Sequence, residues 1–136
     1  MKINFYILGI LAGLLLLSCT EDDINTEFRN ATDCDLNPSP GFIGLCLNGS
    51  QFARPNDLLT YASKSTTNFS EIVWEITDGN MTIVSVENTT QANALKSVAS
   101  IQFQDNFNGG RLKVAAMSAN DSDFVEIMNF EIELED

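Results

Sequence analysis

Apolar and polar residues alternate along this chain in short runs. Ile72, Trp74 and Ile76 share one parity, with Val73, Glu75 and Thr77 on the other. Leu112, Val114 and Ala116 alternate with Arg111, Lys113 and Ala115; Met128, Phe130, Ile132 and Leu134 alternate with Asn129, Glu131, Glu133 and Glu135. Successive side chains of a strand point to opposite faces, so a period of two with one apolar face predicts half-buried strands. Weaker runs of the same kind occupy residues 42–47, 58–63, 81–86 and 95–103. Turn formers separate them: Asn48-Gly49-Ser50, Pro55-Asn56-Asp57, Asp78-Gly79-Asn80, residues 106–110 and residues 120–123. No helical period is sustained beyond residue 20. Seven short strands with regular turns, in about 100 residues, predict an all-β antiparallel sandwich.

Strand parity also names a core. Leu59, Tyr61, Ile72, Trp74, Ile76, Ile83, Ile101, Phe103, Leu112, Val114, Phe130 and Ile132 are expected inside. The positions that carry an inter-sheet disulfide in antibody domains hold Leu59/Tyr61 and Val114/Ala116 here, so packing must join the sheets.

The N-terminal stretch breaks the alternation. Lys2 precedes an apolar run over residues 3–17, which at about 15 residues is short for a membrane-spanning helix. Leu16-Leu17-Ser18-Cys19 ends it and resembles the lipobox of bacterial lipoproteins. That resemblance implies cleavage before Cys19 and acylation of its thiol, with several acyl chains giving a stable anchor. An ordinary signal peptide with an incidental cysteine is the alternative. Thr20-Glu21-Asp22-Asp23 follows, and the acidic cluster Glu21, Asp22, Asp23 resembles the surface-export signal of Bacteroidota lipoproteins. It implies a bacterial outer-membrane location facing outward; a periplasm-facing anchor is the other reading. The expected organisation is a lipoprotein signal peptide over 1–18, a lipidated cysteine with an acidic flexible tether over 19–33, and a sandwich over 34–136.

Composition narrows the function. The chain of 136 residues has 7 Lys+Arg against 19 Asp+Glu, a net charge of −12 and no histidine. Nucleic acid and anionic lipid faces need a basic patch, so neither is an expected partner. Without histidine the usual general base and the commonest zinc ligand are gone. Of 3 cysteines, Cys19 is assigned to lipid, which leaves Cys34 and Cys46 as a pair. Outside the cytoplasm a disulfide is permitted, and closing so short a loop restricts the unfolded chain by about 3 kcal/mol. Two reduced, partly buried thiols are the alternative.

Trp74-Glu75-Ile76-Thr77-Asp78-Gly79 resembles the W-x-F-G-D-G stretch of PKD domains, with Ile for Phe and Thr for the first Gly. Phe107-Asn108-Gly109-Gly110-Arg111-Leu112-Lys113-Val114 is similar to the strand those domains carry before a final turn. The likeness covers residues 58–133. It implies an Ig-like (PKD-like) sandwich used as a spacer, adhesion or recognition module, and it carries over no catalytic residue.

Candidate chemistry is sparse. Asp121 and Asp123 cluster oxygens that could suit Ca²⁺, but the run lacks the spacing of a calcium loop and reads more readily as a solvated turn, so no metal site is expected. Glu131, Glu133 and Glu135 offer paired carboxylates, or simply a wet outer face. Phe69 and Phe107 lie in or near loops and are the candidate sugar-stacking rings. Val125 and Ile127 have outward parity and form a candidate sticky patch. The sequence therefore predicts a membrane-anchored, non-catalytic lipoprotein without a cofactor. It would bind a protein or glycan, serve as a structural spacer, or act as a subunit of an outer-membrane complex. A small Asp/Glu hydrolase is the remote alternative.

Overall fold

The computed structural model describes residues 29–91, 93–121 and 123–136. Cys19 and the acidic cluster Glu21, Asp22 and Asp23 lie outside the described residues.

Eight strands form the domain: β1 (Leu45–Asn48), β2 (Phe52–Ala53), β3 (Leu58–Ser65), β4 (Glu71–Asp78), β5 (Met81–Gln91), β6 (Ala94–Phe103), β7 (Gly110–Met117) and β8 (Val125–Leu134). They make two four-stranded sheets, β1-β3-β6-β5 and β2-β8-β7-β4. All pairings are antiparallel except β2 with β8, which is parallel. This is a β-sandwich with an immunoglobulin-type strand order, its first edge divided between the sheets. Seven of the eight strands coincide with the alternating runs. The eighth, β2, has two residues, too few to show any period.

The inner faces meet in one core. Tyr61, Ile101, Phe103, Leu112, Val114 and Ile132 are essentially inaccessible, and Leu59, Ile72 and Trp74 are buried beside them. Ile76, Ile83 and Phe130 pack on its margin. Buried polar groups need partners, and Trp74 supplies one: its indole Nε1–H donates to Ser97 Oγ at 2.8 Å, sheet to sheet. Tyr61 donates from its hydroxyl to the Ser50 carbonyl at 2.9 Å, and its ring meets Phe130 edge-on. Gly49 lets the chain pass over that ring, since a Cβ there would overlap it. Gly79, at φ +95°, turns β4 into β5 against the backbone of Gly109 and Gly110.

Residues 29–33, expected as the end of a free tether, are packed on the sandwich. Where the chain leaves β1 for the other sheet, the lower half of β3 loses its neighbour. Residues 30 and 31 fill that place: Ala31 N–H donates to the Thr60 carbonyl at 3.0 Å, and Thr60 N–H donates to Asn30 Oδ1 at 2.9 Å. Arg29 donates to Asp57 at 2.6 Å and reaches Glu135 at 2.9 Å, and Arg54 joins Glu135 at 2.9 Å. Higher up, Lys64 lies 2.7 Å from Asp33 and holds its carboxyl below the usual range. Cys34 and Cys46 are joined, with Cα atoms 6.0 Å apart, so the arm is fastened covalently to β1. Both Arg29 and the final residues therefore sit at one end of the sandwich. The 66–70 and 118–124 connections sit at the other.

Candidate functional site

The outer face of β4, β7 and β8 is built in rows across three strands. Glu71, Met117 and Val125 form the first row, Val73, Ala115 and Ile127 the second, and Glu75, Lys113 and Asn129 the third. Arg111 and Glu131 follow, with Asp78 beside Arg111. The upper two rows are apolar except for Glu71, and the lower two are charged. An antiparallel sheet with one face in water normally alternates apolar-in and polar-out. Here Val73 is 38 %, Val125 37 % and Ile127 49 % exposed, on the side away from the core. Val125 and Ile127 are same-face neighbours on β8, and Val73 lies across from Ile127 with Ala115, itself only 8 % exposed, between them.

Electrostatics sharpen the boundary. In the lower rows Lys113 donates to Glu75 Oε2 at 3.1 Å and Arg111 donates to Glu131 Oε1 at 2.8 Å, so cation and anion cancel. Around the upper rows Glu71, Asp121 and Asp123 are exposed and none has an ion-pair partner among the described residues. The apolar surface is thus rimmed by unneutralised carboxylates. It is adjoined at the tip by Phe124, 37 % exposed, which stacks on Phe69 with ring centroids 5.0 Å apart.

Phe69 and Phe107, the expected sugar-stacking rings, are buried and do not form a site. Each closes a turn, with Phe69 N–H donating to the Thr66 carbonyl and Phe107 N–H to the Gln104 carbonyl, both at 3.2 Å. The turn folds the ring back over one end of the sandwich, where Phe107 meets Phe103 edge-on at 4.7 Å. Among the described residues Phe124 and Phe52 are the exposed rings instead, at opposite ends of the domain.

The candidate carboxylates are also placed. Asp121 Oδ1 accepts from the Asp123 N–H at 3.0 Å, which is a turn-capping bond within the loop. No group of three acidic, cysteine or histidine side chains among the described residues is disposed to hold a metal. Glu131 and Glu135 are each engaged by arginine. A shallow hollow beside β2 is lined by Arg29, Ser50, Phe52, Glu133, Glu135 and Asp136, but Glu135 is held there by Arg29 and Arg54.

Val125 and Ile127 were legible from parity. Val73 and Met117 were not, because only the order β8-β7-β4 brings them alongside. No family model, curated protein or solved structure matches the chain.

Proposed function

We propose that this protein is a non-catalytic binding module of a bacterial cell envelope, lipid-anchored through Cys19 and contacting a partner through the outer face of β4, β7 and β8. One observation carries the binding surface: Val73, Val125 and Ile127 are exposed on the outer face of a sheet whose other side is the core, grouped around Ala115 and Met117. Such a surface in water marks an interaction site. The free carboxylate rim favours a protein whose own apolar patch is bordered by Lys and Arg, since complementary charge steers encounter and fixes register. The lipobox-like Leu16-Leu17-Ser18-Cys19 supports the anchor, and the acidic residues after it support an outward-facing outer-membrane position. Service as an accessory subunit of a larger envelope complex is the same chemistry with a permanent partner.

Anchor and surface are tested separately. Cys19→Ala should release the protein from washed membranes; continued membrane association contradicts the anchor. Neutralising Glu21, Asp22 and Asp23 should reduce protease accessibility on intact cells, and unchanged accessibility contradicts outward display. Ile127→Lys should abolish partner recovery while leaving the fold intact, and unchanged recovery contradicts the surface.

A further inference from the structure

The longest strand is also the least covered. Among the described residues β5 ends its sheet and pairs only with β6. From Val84 to Gln91 every residue is exposed, although Val86 lies opposite the inward-facing Ala99 and Asn88 opposite the inward-facing Ser97. The facing sheet stops short of this half of β5. A free edge is a template for another strand, and proteins usually blunt it with charges, Pro or a short length. Here an edge of 11 residues carries one charge, Glu87, and neither Lys nor Pro. Its one irregularity is the register shift between Ile83 and Ser85, which leaves residues 85–91 as a regular, unpaired edge.

We propose that β5 is a homophilic docking edge, which pairs antiparallel with β5 of a second copy about a two-fold axis through Asn88. Asn88 is the midpoint of the regular stretch, so this register gives the greatest overlap of that stretch with itself. It sets Ser85 opposite Gln91, Val86 opposite Thr90 and Glu87 opposite Thr89 of the mate. Like charges do not meet directly. Complementary ones do come close: Thr89 pairs with Lys96 within the chain, so the outward row across the junction reads Lys96, Thr89, then the mate's Glu87. By symmetry this happens twice. Neither Glu87 nor Lys96 has an ion-pair partner among the described residues.

The contact is isologous and closed, and it joins two sheets of four strands into one of eight. It is also short, which places it among weak, concentration-dependent associations. β5 starts at Met81, opposite Phe103, whose N–H bonds Asp57 beside Arg29. It therefore rises away from the chain entry, and an antiparallel mate is inverted with its own entry at the far pole. Combined with the anchor proposed above, on which this consequence alone rests, the pair links two facing surfaces rather than neighbours on one.

The test uses the full chain. In an antiparallel pair, directly opposite Cα atoms stand about 4.5–5.5 Å apart, within disulfide reach. Asn88→Cys should form a reducible covalent dimer on mild oxidation, and Thr82→Cys, on the other side of the bulge, should not. Sedimentation should give reversible dimerisation between about 10 μM and 1 mM. Glu87→Lys or Lys96→Glu alone should weaken it about ten-fold, and the double exchange should restore it. A chain that stays monomeric throughout, or that cross-links equally through residues 82 and 88, overturns the proposal.

Discussion

At the scale of single residues, the core is tied by a few polar contacts whose loss has a definite sign. Ser97→Ala removes the acceptor of the Trp74 indole and leaves a buried N–H without a partner. That should cost about 1–3 kcal/mol in urea unfolding, and Trp74→Phe in the same background should cost much less than it does alone. Tyr61 gives a pH signature. Burial pushes its phenol above the ordinary range, opposed by Arg29 and assisted by Asp57. A raised value in the fold means the neutral form is favoured, so the stabilisation is complete below about pH 10 and is lost as pH rises above it. Phenolate absorbance attributable to Tyr61, taken as the difference from Tyr61→Phe, should appear in one steep step together with loss of circular dichroism. A smooth titration near pH 10 with the fold intact contradicts this.

At the scale of elements, the arm of residues 29–34 stands in for the strand that β1 fails to continue. It is held by the Cys34–Cys46 bond and by the Arg29, Asp57 and Glu135 contacts. Reduction should cost about 2–4 kcal/mol and raise hydrogen exchange at Ala31 first, because none of the main core side chains depends on the arm. Equal exchange increases in β7 would show that the arm and core are one unit. Much of this architecture was legible in the sequence, since Ile72, Trp74 and Ile76, or Phe130 and Ile132, alternate in register with solvent. What was hidden depends on non-local pairing. β2 earns strand status only by lying parallel to the end of β8. β5 runs five residues past Val86 through Glu87, Asn88, Thr89, Thr90 and Gln91, which show no alternation because neither face is covered. Phe69 and Phe107 looked like loop aromatics, and their inward turn is set by the i to i+3 bonds of tight turns, which no periodicity reports.

At the scale of the whole molecule, Arg29, the first described residue, and the final residues share one pole, and the apolar surface lies toward the other. On the proposed tether from the first pole, the domain would present Val73, Met117, Phe124, Val125 and Ile127 outward, and its carboxylates would discourage indiscriminate clustering of an already acidic chain. The face is therefore expected to be dispensable for folding: Ile127→Lys should change stability by no more than about 0.5 kcal/mol, as for surface positions outside a packed core. The decisive measurement is recovery of proteins bound to the tagged chain from gently solubilised membranes, with the native sequence and Ile127→Lys side by side. The proposed binding role predicts a stoichiometric partner with the native chain and its loss with the variant. The same recovery from both, or none from either, would contradict it.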